Sequence, residues 1–330
     1  MAQTTALLDI PFDTLAAFIH REAGANMLPV AAGEARVTIA TLIGEIVATP
    51  GRLEITAEDP DDLHVLREFI SENLVDLAGD LRWSHLDAGR PPPNLHILTV
   101  ASCRRICPAY HRLRLTGDVT RYRSTAYHVR LVPPGTGAQR WPVVAATGKT
   151  VWAEGSALPH RPVYTIIAVG ADWIEIDIFI HEGGRSCTWA AGLSPGDEVG
   201  LTGPGGSGAP AHPNWALFAD ETALPAVLRM LEERPDSTGR ATLLVPSAAS
   251  IREIRHPQIT IDWRVRARGH TLLDALEDHP PSAWDYIFFC GEKHEVAEAR
   301  ARMKAAGHSP KQQALAAYWT APATSPAKGD

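Results

Sequence analysis

The chain has little cysteine and no excess of positive charge, and both shortages narrow what it can be. Only Cys103, Cys107, Cys187 and Cys290 occur in 330 residues. The opening Met1-Ala2-Gln3-Thr4-Thr5 lacks the basic region and apolar run of a secretion signal, so reduced thiols are expected rather than a disulfide scaffold. Cys103 and Cys107 have no matching second pair, and the 14 histidines form no H-E-x-x-H pair. No structural or catalytic metal is therefore predicted. A formal net charge of −7 argues against a nucleic-acid partner held through its phosphates. Two arginine-rich patches, Arg121-Tyr122-Arg123 and Arg264-Val265-Arg266-Ala267-Arg268, read either as solvated strand positions or as local anion sites. No window holds enough unbroken apolar residues to span a bilayer, so no membrane partner and a cytoplasmic location are expected. The sequence leaves the oligomeric state open.

What is present is a 45% hydrophobic chain of 330 residues, enough for two or three domains with cores of their own. A helix around Phe12 to Arg21, hairpin material over 34–57 broken at Pro50-Gly51, and a second helix opened by Asp59-Pro60-Asp61-Asp62 make a small α+β module over 1–90. Leu63, Leu66, Phe69, Ile70, Leu74 and Leu77 recur at helical spacing and read as the core stripe of that second helix, and Trp83 ends the module. Pro91-Pro92-Pro93 is a stiff linker. From 95 to 210 short strand-like runs such as His96 to Ala101, His111 to Leu115, Tyr127 to Val132 and Trp173 to Ile180 predict an antiparallel β-barrel. From 211 to 322 strand and helix alternate, which predicts a parallel sheet with covering helices and a ligand crevice at the strands' carboxyl ends. The fold class is thus multidomain α+β, with a disordered tail at 323–330.

Three motifs follow one another between Arg161 and Gly206: Arg161-Pro162-Val163-Tyr164-Thr165, Gly183-Gly184-Arg185-Ser186-Cys187-Thr188-Trp189-Ala190, and a P-G-D-E-V-G-L-T-G-P-G-G run ending at Gly206. Later come Asp220-Glu221-Thr222-Ala223-Leu224-Pro225-Ala226 and Cys290-Gly291-Glu292. In this order they resemble the siderophore-interacting proteins, flavin-dependent ferric-siderophore reductases, over residues 95 to 320. The module before them weakly resembles a short bacterial domain of unknown function found alone or beside such proteins. The resemblance implies FAD in the barrel, NAD(P)H on the parallel sheet, a flavin-type barrel domain and a nicotinamide-type domain. The implied activity is an NAD(P)H-dependent reduction of a ferric siderophore with release of Fe(II). The small-molecule substrate would be a ferric siderophore or another small ligand in the barrel cleft.

By that resemblance Tyr164 packs on the isoalloxazine ring and Thr165 lies near its reactive nitrogen, the two catalytic positions. The family's phosphate-binding arginine falls on Pro162. Arg161 stands one residue earlier, so either a bulge at Pro162 brings it to the phosphate or the slip sends it to the opposite face. His181, Gly184, Arg185, Ser186, Cys187, Thr188 and Trp189 form the implied pyrophosphate segment, with Cys187 where the family has serine and Arg185 able to supply the lost charge. Gly203-Pro204-Gly205-Gly206 reads as an interdomain hinge. Asp220, Glu221, Thr222 and Ala223 follow an apolar strand at the implied nicotinamide site, where Glu221 is either a helix-capping acid or a functional one. Gly291 and Glu292 would sit beside the nicotinamide ring, and Cys290 reads equally as a core thiol. Ser247, Ser250 and Arg252, where the family carries acids, either favour NADPH or mark a ribose pocket that has decayed. Ala317-Tyr318-Trp319-Thr320 resembles the family's terminal Y-W but lacks its basic residue. The departures at Pro162, Ile167, Cys187, Ala219 and Thr320 keep open a second reading, a relative with an altered flavin site that binds a small molecule or catalyses a non-redox step in secondary metabolism.

Overall fold

Asp59 caps the second helix of the N-terminal region, its carboxylate accepting from the backbone N–H of Asp62 at 2.9 Å with Pro60 at the first helical position. A computed structural model describes residues 1–25, 28–123, 126–154 and 162–321. The N-terminal elements are β1 (Ala2–Leu7), α1 (Phe12–Ala25), β2 (Val30–Gly33), β3 (Arg36–Ala40), β4 (Gly44–Thr49), β5 (Arg52–Ala57), α2 (Pro60–Asn73), α3 (Val75–Ala78) and β6 (Arg82–Trp83). Their strands form one antiparallel sheet in the order β2-β3-β4-β5-β1-β6. Alternation in β5 turns Leu53, Ile55 and Ala57 inward to meet Leu15 and Ile19 of α1 and Leu63, Leu66 and Ile70 of α2 in one core. Sequence reading missed β1 and β2 and ended α1 four residues early. It also placed Phe69 in the core, whereas Phe69 is exposed. The three positions α2 buries besides its apolar stripe are polar: His64, Arg67 and Ser71.

Next come β7 (Leu95–Cys107), β8 (Tyr110–Thr116), β9 (His128–Val132), β10 (Val143–Val144), β11 (Thr150–Val151), β12 (Val163–Val169), β13 (Trp173–Phe179), α4 (Arg185–Ala191) and β14 (Glu198–Gly205). Six of the strands close into an antiparallel barrel, β12-β13-β8-β7-β14-β9, and β10 pairs with β11 as a separate hairpin. Leu113, Leu115, Ile174, Ile176 and Ile178 alternate into its interior.

The last elements are β15 (Asn214–Ala219), α5 (Leu224–Glu233), β16 (Thr238–Val245), β17 (Ile259–Val265), α6 (Leu272–Glu277), β18 (Tyr286–Glu292), α7 (Lys293–Ala305) and β19 (Gln313–Trp319). All five strands are parallel in the order β17-β16-β15-β18-β19. The order reverses between β15 and β18, so the crevice for a ligand opens at their carboxyl ends. Sequence reading missed β19 and, of β17, saw strand character only at the Arg264-Val265 end of the arginine-rich patch, because Ile259 to Trp263 mixes Thr and Asp with apolar residues as an outer strand does.

By packing, the described residues fall into two compact units. One gathers 1–97 with parts of 132–160 and 199–203; the other gathers 98–131, 161–198 and 204–330. No helix among the described residues is long and apolar enough to cross a membrane.

Candidate functional site

Pro162 lies just ahead of β12, and Arg161 lies outside the described residues. The register Val163↔Arg130, Tyr164↔Val129, Thr165↔His128 runs regularly, and the irregularity in β12 falls at Ile166/Ala168 instead. Tyr164 is half-buried, and its phenol lies near Ser186 in the first turn of α4. Burial pushes that phenol up to about 12, against the opposing pull of Ser186, so it is neutral at pH 7. Thr165 is buried. Across from it, His128 has an Nε2 that is buried without a hydrogen-bond partner among the described residues, and burial holds its ring below the ordinary histidine range.

The start of α4 is built around one carbonyl. Gly184 O accepts from Cys187 Sγ at 3.1 Å, Thr188 Oγ1 at 2.9 Å and Thr188 N at 3.1 Å. Cys187 is thus buried against its own turn, also donating to His181 O, and the Thr188 hydroxyl is likewise spent locally. Gly184 leaves no room for a side chain, since a Cβ would stand 2.6 Å from Cys187 Sγ and 2.8 Å from His181 Nε2. Because Thr188 is the first residue to bond back to Gly184, the amides of Arg185, Ser186 and Cys187 have no acceptor within the helix. Arg185 is exposed beside them, and His181 stacks on Phe179 with centroids 5.7 Å apart. An aromatic wall near a turn with free amides and a cation is a donor set that fits FAD, ring and phosphate together.

At the carboxyl ends of β15 and β18 the two other motifs meet. Asp220 is fully buried and satisfied: Oδ1 accepts from Thr222 N at 2.8 Å, Thr222 Oγ1 at 2.6 Å and Ala223 N at 3.3 Å, and Oδ2 from Trp319 Nε1 at 2.7 Å. Gly291 is the residue that permits this, because a Cβ there would lie 2.6 Å from Asp220 Oδ2. Glu221 takes a bidentate grip from Arg266, Nε and Nη2 each at 3.1 Å, and its carbonyl accepts from Tyr110 OH at 2.5 Å. Burial first, then Asp220, raises the Glu221 carboxyl, with Arg266 opposing. Glu292 caps α7, accepting from His294 N at 2.5 Å and Glu295 N at 3.2 Å, and also from Ala321 N at 3.0 Å. Burial pushes the Cys290 thiol up to about 12, so it is not a thiolate near neutrality.

The expected NADPH residues divide. Ser247 and Ser250 hydroxyls lie 3.4 Å apart, and Ser250 is buried. Arg252 Nη1 donates to Asp177 of β13 at 2.6 Å and the guanidinium lies 4.5 Å over the Tyr110 ring, while its Nε and Nη2 are buried without partners among the described residues. Asp177 also receives Arg112 Nε at 2.8 Å and Nη2 at 3.0 Å. Sequence reading missed Tyr110, Arg112, Asp177 and His128, and it had Arg266 only within an arginine-rich patch rather than paired with Glu221; only the alternating charges of β8 and β13 hinted at the arginine–carboxylate pairs.

Comparison with known proteins bears on the same residues. A siderophore-interacting FAD-binding domain profile matches 99–208, and a siderophore-interacting protein profile matches 212–322. An NADPH-dependent ferric-chelate reductase of Escherichia coli (strain K12) is 29% identical over 238 residues, 68% of this chain and 92% of its own. The crystal structure of a siderophore utilization protein from T. fusca aligns with a TM-score of 0.57 at 29% identity, over 70% of this chain and 94% of its own. A ferredoxin-NADP+ reductase from Plasmodium falciparum, 14% identical with a TM-score of 0.52 over 70% of this chain and 99% of its own, shares the fold.

Proposed function

The chain belongs to the siderophore-interacting protein family, and on that premise we propose that it is an FAD-dependent NAD(P)H oxidoreductase that reduces ferric siderophores and releases iron as Fe(II). The observation that carries the reading is the half-buried Tyr164 on β12 near the start of α4, with the free amides of that turn and the exposed Arg185. When bound there, FAD supplies the exchange between a two-electron nicotinamide donor and a one-electron ferric acceptor. Tyr164 would flank the ring. Arg185 and the amides of Arg185, Ser186 and Cys187 would hold the phosphates, with Arg185 taking the charge role absent at Pro162. His128, opposite Thr165 with an unpartnered Nε2, is the polar group on β9 suited to the cofactor's edge.

The nicotinamide nucleotide would enter at the ends of β15 and β18. There Asp220 and Glu292 act by shaping backbone, since both carboxylates are spent on N–H donors. Thr222 and the turn it ends would face the ligand, and the spare Nε and Nη2 of Arg252 would suit a phosphate. Hard oxygen chelators hold Fe(III) better than Fe(II), so reduction loosens the substrate's iron. We place this chemistry in the cytoplasm. The test is the visible spectrum of the purified protein, an FAD titration by flavin fluorescence, and anaerobic mixing with NADPH and with NADH. Bound flavin that bleaches with either nucleotide and reoxidises with a ferric chelate is the expected result. A colourless protein that ignores FAD sinks the reading and favours a non-redox ligand in the altered cleft.

A further inference from the structure

Tyr110 is wholly buried although it stands on the outside of the barrel. Along β8 the side chains of Leu113 and Leu115 point into the barrel, so alternation sends Tyr110 outward with Arg112 and Arg114, both of which keep contact with solvent. Pairing with β13 sets it opposite Phe179, with ring centroids 5.8 Å apart. Phe179 in turn stacks with His181, which packs on Gly184 at the start of α4. What covers the phenol from the other side comes from the parallel sheet: the Arg252 guanidinium lies 4.5 Å over the ring, and Glu221 O accepts from Tyr110 OH at 2.5 Å. All of these residues belong to one compact unit.

The bond to Glu221 answers a gap that the sequence itself leaves. In a helix the carbonyl of Glu221 would receive the N–H of the residue four positions on, but that residue is Pro225, which has none. Leu224 N is taken by Asp220 O at 2.8 Å. The carbonyl is therefore left to a donor from outside the helix, and the barrel supplies it. Burial keeps the phenol well above its ordinary range, so it stays a neutral donor through neutral pH. The side chains of the same turn are held elsewhere, Asp220 by Thr222 and Trp319 and Glu221 by Arg266. Those ties come from the sheet's own loops; Tyr110 brings one from the barrel.

We propose that Tyr110 is a positioning residue for the transfer between nicotinamide and flavin: through Glu221 O it fixes the turn where the nucleotide would enter against the side of the barrel that leads, by Phe179 and His181, to α4, and so sets the approach of the two rings. The proposal rests on the FAD and NAD(P)H reading above. In that transfer a hydride leaves the nicotinamide, which is oxidised, and joins the flavin, which is reduced; Tyr110 exchanges no proton in it. The test uses the full chain and two variants. Tyr110→Phe removes the donor and keeps the ring. Tyr110→Phe combined with Pro225→Ala gives Glu221 O a helical N–H in its place but leaves the turn untied from the barrel. The readouts are the urea midpoint, the FAD dissociation constant, anaerobic bleaching of bound flavin at saturating NADPH, and amide exchange over 220–224 in the flavin-free protein.

Tyr110→Phe is expected to lower the urea midpoint, to quicken exchange over 220–224 and to slow bleaching about tenfold, with FAD affinity within about twofold of the parent. In the double variant the midpoint is expected to recover while exchange stays fast and bleaching stays slow. Bleaching at the parental rate in Tyr110→Phe overturns the proposal. So does a rate that recovers with the midpoint in the double variant, which would leave Tyr110 the partner of a carbonyl and nothing more. If Tyr110→Phe fails to fold, the double variant decides. If the parent takes up no FAD, or holds FAD that neither nucleotide bleaches, that reading falls on its own, and exchange over 220–224 in the double variant decides the tie: parental exchange there overturns it.

Discussion

Tyr164 stands half-buried near Ser186, and burial keeps its phenol too high in pKa to ionise near neutrality. Removing the hydroxyl and removing the ring are separable. Tyr164→Phe keeps the wall and loses only a neutral hydroxyl, at most about 1 kcal/mol or a roughly fivefold weaker FAD complex. Tyr164→Ala loses the stacking surface as well and is expected to weaken FAD by about 30-fold. Fluorescence titration reads both, and equal losses in the two variants would mean that the ring does not touch the cofactor. Asp220 is the opposite kind of residue, a carboxylate with four donors and no exposure. Asp220→Asn turns one acceptor into a donor facing either Trp319 Nε1 or the Thr222 turn, and is expected to cost about 2–3 kcal/mol in urea unfolding. If unfolding free energy is unchanged while NADPH binding collapses, Asp220 contacts the nucleotide and its structural role is secondary.

At the scale of elements, what was legible in the chain was whatever follows a period. The parallel strands β15, β16 and β18 announce themselves as continuous apolar runs, and α2 announces itself through Asp59, Pro60 and its leucines. The motifs at β12, α4, β15 and β18 converge on two strand ends, and that ordering is readable without coordinates. What was not legible is long-range pairing. β17 and β19 mix charge or small residues with apolar ones, so their identity as strands comes from neighbours distant in sequence. The polar stripe His64-Arg67-Ser71 could not be distinguished from a solvated helix face, because its partners Thr150 and Trp83 lie elsewhere in the chain. Likewise Arg252 was legible as a free cation after β16, but its bond to Asp177 depends on the barrel being beside it. Arg252→Ala accordingly should do two things: strip Asp177 of one of its two arginines, lowering stability by about 1–2 kcal/mol, and remove the two unpartnered nitrogens. A rise in KM for NADPH that leaves KM for NADH unchanged would assign those nitrogens to the 2′-phosphate; equal shifts for both nucleotides would leave Arg252 a structural residue only.

For the molecule as a whole, pH offers a way to loosen the packing of 143–151 on the N-terminal module without any mutation, since His64 Nε2 meets Thr150 Oγ1 at 3.1 Å. Burial foremost, then Arg67, lowers His64 from 6.5 to about 4, with Glu68 and Asp61 pulling weakly the other way. The folded group therefore binds a proton less readily than the unfolded one, so its stabilising neutral state is intact above pH 6.5 and is lost progressively as the pH falls towards 4. The full loss is about 3 kcal/mol over that window, most of it directed at the unit that contains the N-terminal module and residues 143–151. Protonation would set two buried cations together, since Arg67 donates to His64 Nδ1. On lowering the pH from 7 to 5, amide exchange over 143–151 is thus expected to quicken before the far-UV circular dichroism changes. His64→Gln removes the titrating group while its amide can still accept from Arg67 and donate to Thr150, and it is expected to flatten this pH dependence. Exchange that quickens only together with the dichroism in the parent, or that keeps its pH dependence in His64→Gln, would mean that acid acts on the whole fold and not through His64.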